Sequence, residues 1–513
     1  MHPSAIHKQI VPSMVSENGD IWGANSVRFS LMSRDNAFYE AMLARDYRFD
    51  GKFFVGVKTT GIYCRPICPA RPKRENVEFF VDALGAERAG YRPCLRCRPE
   101  SAPLSPAWHG KSAVVQRALR SIADEGFFDS GEERFAERFG VSARHLRRLF
   151  VDEVGQTPKQ IAFNNRLNFA RKLITESRLP MTKVAFTAGF TSLRRFNDAF
   201  KKRFERSPTQ IRREQKTTRP SGGIELSLSY RPPLDWEHLL EFFRSHRIPG
   251  IENVDGNTYE RVFRAGDGVG ALRVRPDTER PQLLLEVFVE DPRHLFAVVQ
   301  RVRRSFDLNS DPLLVANEFR TNKFLDSLAH KYPGLRVAQR WDPFETAVCT
   351  ILGQLVSVEQ ASRLVGQLVA HYGERVVHPI SGSKAFLFPT PERLVGASLD
   401  EVKTTATRKR SILEIAELVH RGSLDFTFPQ SPGASREKLL RVAGVGAWSS
   451  EYVHLRGLGD TDAFPATDLI LRRALEMHPG FDVRDVSPWR AYAAIYLWRH
   501  YAAELSRKKR KTT

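Results

Sequence analysis

From Lys111 to Arg213 the apolar positions fall at helical spacing: Phe163, Leu167, Ala170 and Ile174 are separated by four, three and four residues, which places them on one helix face. Upstream, Phe53-Phe54-Val55-Gly56-Val57 and Val77-Glu78-Phe79-Phe80-Val81 are short apolar runs between polar stretches and read as strands. Ile224-Glu225-Leu226-Ser227-Leu228 and Gln282-Leu283-Leu284-Leu285-Glu286-Val287-Phe288 predict two more strands, after which the pattern is mostly helical to the end. Gln215-Lys216-Thr217-Thr218-Arg219-Pro220-Ser221-Gly222-Gly223 lacks apolar residues and ends in Pro, Ser and Gly, which predicts a linker. Residues 1–33 are polar and unpatterned and predict a flexible leader.

A chain of 513 residues has room for roughly three domains, each with its own core. The predicted fold is multidomain and predominantly α with α+β parts. Its divisions are a small α+β module at 34–108, an all-α module at 109–214 and a larger module at 224–506 that starts with an antiparallel sheet; a basic tail follows at 507–513.

Charge changes the picture next. Residues 1–223 hold 39 basic and 23 acidic residues, a net of +16, whereas 224–513 hold 40 and 36. Clustered cations release condensed counterions from phosphate, so nucleic acid is the expected partner of the first half. Five late cations form the run Arg507-Lys508-Lys509-Arg510-Lys511, which predicts a solvated, disordered tail. No apolar stretch approaches a bilayer span and no export signal opens the chain, so a cytoplasmic, nucleoid-associated protein without membrane contact is expected.

Four of the five cysteines lie between positions 64 and 97 as Cys64-x3-Cys68 and Cys94-x2-Cys97. Two close pairs across a longer loop let four thiolates converge on one zinc ion, either to hold a fold or to activate a sulfur. Cys349, in an apolar run, reads as core. The flanks Thr59-Thr60-Gly61-Ile62-Tyr63-Cys64-Arg65-Pro66-Ile67-Cys68, Arg74-Glu75-Asn76-Val77 and Gly90-Tyr91-Arg92-Pro93-Cys94-Leu95-Arg96-Cys97 closely resemble the zinc domain of the Ada family. That resemblance implies that Cys64 is both a ligand and an irreversible methyl acceptor from DNA methylphosphotriesters. A metal-held thiolate is the nucleophilic form of sulfur, and alkylating it removes one negative charge from the site, which should strengthen DNA binding. Arg65, Arg71, Lys73, Arg92, Arg96 and Arg98 surround the cysteines and are candidates for holding the phosphate backbone.

Phe135 to Phe150 reads as helix, glycine turn at Gly140, and a basic second helix starting at a Ser142 cap. A related unit runs from Val184 to Lys202 around Gly189 and Ser192. Together they resemble the AraC-type double helix-turn-helix, which implies promoter DNA as a partner; the protein partners are left open, with RNA polymerase as the candidate. The expected base-reading residues are Arg144, His145 and Arg148 in the first unit and Ser192, Arg194, Arg195 and Asn197 in the second.

In the last module, Leu440-Arg441-Val442-Ala443-Gly444-Val445-Gly446-Ala447-Trp448 is a helix end followed by Gly-x-Gly, a hairpin whose amides can grip a phosphate. Some twenty residues on stands Phe464-Pro465-Ala466-Thr467-Asp468-Leu469-Ile470, and elsewhere Ile351-Leu352-Gly353-Gln354-Leu355-Val356 and Tyr230-Arg231-Pro232-Pro233-Leu234-Asp235-Trp236. This half resembles AlkA-type 3-methyladenine DNA glycosylases of the helix-hairpin-helix superfamily. The resemblance implies that Asp468 stabilises the oxocarbenium sugar, that Phe242, Trp448, Tyr452 and Trp498 line a pocket for a flipped cationic base, and that Leu355 wedges into the duplex beside Gln354, with Gly444 and Gly446 on the backbone. Trp448 stands where bifunctional relatives carry a lysine, so base hydrolysis without a Schiff base is expected. Read alone, Asp468 also suits a cap on the following helix.

The joined expectation is an alkylation-damage enzyme and regulator that binds double-stranded, alkylated and promoter DNA, needs one zinc and uses no cofactor for base removal. The alternative is an alkylation-sensing transcription factor whose glycosylase-like half is inactive. The chain lacks the Pro-Cys-His-Arg motif of the second Ada methyltransferase domain, so direct O6-methylguanine repair is not expected.

Overall fold

The structure, a computed structural model, describes residues 34–81, 83–97, 99, 113–125, 131–213, 224–426 and 432–512. The predicted leader, the whole of the predicted linker and Arg98 lie outside the described residues. The chain divides into two compact units, residues 1–107 and 108–513.

The first unit is built on a four-stranded sheet of β1 (Phe54–Val57), β2 (Ile62–Cys64), β3 (Val77–Phe80) and β4 (Arg92–Pro93) in the order β3-β1-β2-β4. β1 pairs antiparallel with both neighbours, while β4 lies parallel to β2. The two predicted strands are therefore β1 and β3, to within a residue or two at their ends. Helix Arg34–Leu43 lays Phe38 flat on Phe53 with ring centroids 4.2 Å apart. Phe53, Val55 and Val77 form one core with Cys64, Cys68 and Cys97, so the sulfurs grow out of the unit's apolar interior.

The second unit opens with the predicted pair of helix-turn-helix elements. Gly140 turns the chain at φ 72° between helices Gly131–Glu137 and Ala143–Val154, and Ser142 caps the latter by accepting from the His145 N–H. Gly189, at φ 78°, does the same between Met181–Thr187 and Leu193–Phe204, with Ser192 capping Arg195. Phe190, Phe196, Phe200 and Phe204 pack in series, edge-to-face or tilted, with centroids 5.3, 5.4 and 4.5 Å apart. The long helix Pro158–Glu176 joins the two elements and buries Leu167, Ala170 and Ile174 as the spacing predicts; Phe163 stays 41% exposed.

A five-stranded antiparallel sheet follows, β5 (Ile224–Ser229), β6 (Glu252–Asp255), β7 (Thr258–Ala265), β8 (Gly268–Pro276) and β9 (Gln282–Val289), ordered β5-β9-β8-β7-β6. β9 alternates cleanly, with Leu283, Leu285, Val287 and Val289 inward. β7 escaped the pattern because Arg261 puts a charge at an inward position, and β8 because Gly270, Ala271 and Leu272 are buried in succession. Arg261 is buried between Glu252, at 2.6 Å, and Glu345, while Arg273 on β8 bridges Glu260 and Glu286 on its two neighbours at 2.5 and 3.0 Å. A hairpin of β10 (Glu374–Val377) and β11 (Lys384–Leu387) also interrupts the region expected to be helical. The remaining helices enclose two apolar cores, one centred on Pro343–Leu352 and one on the buried face of Arg490–Thr512.

The helix-turn-helix part and the sheet part form one body. Outer strand β5 turns a free edge toward Pro158–Glu176, where Lys172 Nζ donates to the Ser227 carbonyl at 2.5 Å and Glu176 accepts from the Ser227 N–H at 2.9 Å. Lys172 and Glu176 are themselves 3.1 Å apart, and Phe169 meets Phe296 edge to face at 5.0 Å. The predicted disordered tail is corrected too: helix Arg490–Thr512 continues through 507–511. Straight-chain Lys and Arg are strong helix formers, and cations near a helix C-terminus complement its dipole.

Candidate functional site

In the first unit, β2 ends at Cys64 and β4 runs straight into Cys94, whose N–H donates to the Tyr63 carbonyl at 2.9 Å. Parallel pairing of β2 and β4 is thus what brings the two cysteine pairs together. All four sulfurs lie within 4.8 Å of one another, which fits tetrahedral ligands at about 2.3 Å from one zinc ion. Hydrogen bonds among the sulfurs hold the Cys68 and Cys94 thiols low and push Cys64 high, while burial first of all raises Cys97. Four thiolates at this spacing cannot coexist without a central cation, so the donor set itself calls for a divalent ion.

Arg65 departs from its expected role. It is 5% exposed, and its guanidinium is spent on buried Asp50, at 2.7 Å from Nε, and on the Cys97 carbonyl at 3.1 Å. Its backbone N–H donates to Cys97 Sγ at 3.3 Å. Arg65 therefore braces the sulfur cluster and does not face DNA. Arg71 is exposed, as a phosphate contact requires.

On the recognition helices, Arg144, Arg148, Arg194, Arg195 and Asn197 are exposed and His145 is half-buried. His145 Nδ1 and the Arg148 guanidinium are 3.1 Å apart. Ser192 is the helix cap, its Oγ accepting from the Arg195 N–H.

In the larger module, helix Ala447–Arg456 follows the Gly-x-Gly hairpin. Gly444 sits at φ 86°, and a Cβ there would meet Ser411 Oγ at 2.7 Å, so only glycine fits. Gly446 is the helix N-cap, without a side chain to satisfy the first amides. Trp448 and Tyr452, one turn apart on this helix, stack with centroids 5.0 Å apart, and Tyr452 meets Trp498 at 6.3 Å. Phe242 joins the group from helix Trp236–Ser245, so all four predicted pocket aromatics do gather in one place.

Asp468 sits at their edge. One carboxylate oxygen accepts from Trp448 Nε1 at 3.0 Å; the other accepts from Trp498 Nε1 at 3.1 Å and from the N–H groups of Ile470 and Leu471. It caps the following helix and accepts from both indoles at once. The two indoles hold it in place, and it aligns them in return.

Leu355 stands out from the surface, 102% exposed and at φ 52°. Gln354 beside it donates to the Gly444 carbonyl at 2.9 Å and to Ser449 Oγ at 2.8 Å, and Arg408 donates to the Gln354 carbonyl. The projecting leucine and the hairpin are therefore tied to each other.

Sequence reasoning missed Arg456, 7% exposed, whose guanidinium carbon lies 4.3 Å over Phe242, 5.5 Å from Trp498 and 6.0 Å from Tyr452. The signal was present: Trp448, Tyr452 and Arg456 recur every fourth residue on one helix face. It also missed His246, stacked on Phe242 at 4.7 Å. Burial, reinforced by Arg340 and Arg456, pushes His246 down to about 3, and burial pushes His238 down to about 4. Both are neutral when folded but would protonate near pH 6.5 once unfolded, so they stabilise the fold above that pH and the contribution fades as pH falls. The urea midpoint of the module is expected to drop between pH 7 and pH 5, and His246→Gln should flatten that drop. An unchanged slope in the variant would show that His246 is not a source.

Comparison with known proteins supports the same three parts. Family profiles described as the metal binding domain of Ada, a helix-turn-helix domain and the AlkA N-terminal domain match residues 37–100, 135–214 and 225–342. The DNA-3-methyladenine glycosylase 2 of Escherichia coli K12 is 29% identical over 279 residues, covering 53% of this chain and 96% of that protein. The bifunctional transcriptional activator/DNA repair enzyme Ada of the same organism is 41% identical over 126 residues, 24% of this chain and 34% of that protein. The probable bifunctional transcriptional activator/DNA repair enzyme AlkA of Mycobacterium tuberculosis H37Rv is 37% identical over 480 residues, 90% of this chain and 95% of its own. With that likeness sustained through nine-tenths of its length, the chain belongs to the family of the bifunctional transcriptional activator/DNA repair enzyme AlkA.

Proposed function

We propose that this protein removes alkylated purines such as 3-methyladenine and 7-methylguanine from DNA by N-glycosidic hydrolysis, accepts methyl groups from methylphosphotriesters on Cys64, and regulates transcription through its helix-turn-helix pair. The observation that carries the enzymatic reading is the Asp468 carboxylate, bonded to the indoles of two pocket walls. A flipped base between electron-rich rings places its sugar at the pocket edge, beside that carboxylate. As the C1′–N bond breaks, both electrons leave with the base and Asp468 stabilises the positive sugar until water adds at C1′ and gives its proton to the solvent. With Trp448 in place of a lysine, this chain offers no amine there to form a Schiff base.

In the first unit, zinc bound by Cys64, Cys68, Cys94 and Cys97 would keep sulfur in the thiolate form. The Cys64 sulfur displaces the phosphodiester oxygen from the methyl carbon: an S–C bond forms, the C–O bond breaks and the restored phosphodiester keeps the electron pair. Loss of one negative charge from the cysteine cluster then favours phosphate and tightens DNA binding. Exposed Arg144, Arg148, Arg194, Arg195 and Asn197 read promoter DNA, His145 supports Arg148, and RNA polymerase is the partner that activation requires. No helix among the described residues is long and apolar enough to cross a membrane; the nucleoid is where such a protein works.

Leu355 is the wedge, and its backbone supports this. A β-carbon at positive φ costs about 1 kcal/mol, and a fully exposed leucine returns nothing to the fold. Leu355→Gly should raise stability by ~0.5–1 kcal/mol in urea unfolding yet slow base release; a variant as active as the parent would remove the wedge role. For the function as a whole the test is release of methylated bases from duplex DNA by the purified full-length protein. No release under single-turnover conditions would refute the glycosylase reading.

A further inference from the structure

The aromatic cage already contains a cation. Arg456 is buried, and among the described residues it forms no ion pair with a carboxylate. One terminal nitrogen donates to the Ala338 carbonyl at 2.8 Å, and Nε has no hydrogen-bond partner. The guanidinium faces Phe242, Trp498 and Tyr452, the same rings that would enclose a flipped base. Trp498 separates this charge from the opposite one. Its ring lies 5.5 Å from the guanidinium carbon, while its Nε1 donates to Asp468. A buried positive charge against three rings of the aromatic group and a negative charge on the far side of Trp498 form a dipole along that group.

Breaking an N-glycosidic bond moves one unit of positive charge from base to sugar, whatever the base. A cationic 7-methylguanine departs neutral. A neutral hypoxanthine departs as an anion, which then takes a proton from water. In both cases the base becomes more negative and the sugar more positive, and Asp468 attracts the charge the sugar gains.

We propose that Arg456 is a positioning residue of the glycosylase, whose fixed charge inside the aromatic cage drives positive charge out of the bound base toward the sugar beside Asp468. This rests on the glycosylase reading above. Arg456 works against tight binding of a cationic base and for its departure, so it lowers ground-state affinity while it raises the rate of cleavage. For a neutral base it raises the rate without opposing binding.

The experiment compares wild type with Arg456→Met, Arg456→Gln and Arg456→Lys, all as full-length protein. Single-turnover release of 7-methylguanine and of hypoxanthine is measured on matched duplexes, together with duplex affinity. The two neutral variants should cleave ~10- to 100-fold more slowly on both substrates, while their affinity for the 7-methylguanine duplex holds or improves. Arg456→Lys, which keeps the charge, should recover much of the rate. Cleavage at the wild-type rate by a neutral variant overturns the proposal. So does a lysine variant as slow as the neutral ones, which would make Arg456 a packing residue, or a rate lost entirely through weaker binding. If wild type itself releases neither base, the glycosylase reading fails and this role falls with it.

Discussion

Asp468→Asn is expected to slow base release by about 10²- to 10³-fold, the usual effect of removing an electrostatic partner of a transition state, while the protein stays folded. Asparagine caps helices as well as aspartate does, and its carbonyl oxygen can keep the bonds from Trp498 Nε1, Ile470 and Leu471. What it cannot keep is the bond to Trp448 Nε1, where an amide N–H would meet another donor. That mismatch costs about 1 kcal/mol, visible in unfolding but too small to empty the native state. Urea unfolding and single-turnover base release on the same preparation separate the two roles of this residue. Should the variant release methylated bases as fast as the parent, Asp468 is a helix cap and nothing more.

The second large effect is expected at Cys64. Transfer of radiolabelled methyl from methylphosphotriester DNA should fall to background in Cys64→Ala, and in the wild-type protein the label should map to the peptide carrying Cys64. Of the four sulfurs, Cys94 is the more exposed and Cys64 is 6% exposed, so accessibility alone would favour Cys94. Label on Cys94, or label that survives in Cys64→Ala, would reassign the acceptor. Chelation of the zinc should abolish transfer as well, since the sulfurs sit in the unit's core and four adjacent thiols cannot all remain ionised without the metal.

What could be read from the chain follows from how local each signal is. Cys64, Cys68, Cys94 and Cys97 announce themselves because ligand spacing is a short-range property. Ser142 and Ser192 do so because a cap needs only the next three residues. Asp468, Trp448 and Trp498 could be expected at one site, but not the hydrogen bonds by which the two indoles, 20 and 30 residues away, hold the carboxylate. Arg65 was misread for the same reason: its partner Asp50 lies fifteen residues upstream, and nothing nearby marks that aspartate as fully buried. Arg456 sits on a visible every-fourth-residue stripe, yet a buried guanidinium without a carboxylate runs against the general rule that charges stay at the surface. β7 stayed hidden because Arg261 puts a charge at an inward position, and β8 because Gly270, Ala271 and Leu272 are buried in succession, which breaks the alternation that made β9 plain.

The bonds from Lys172 and Glu176 to Ser227 decide how this protein can be taken apart. A fragment beginning near residue 224 would lose the helix that satisfies the outer strand, and its bare N–H and C=O groups would be open to pairing with any other extended chain. Isolated repair halves would then be prone to self-association for a reason unrelated to their chemistry, and the natural unit of dissection is residues 108–513 taken whole.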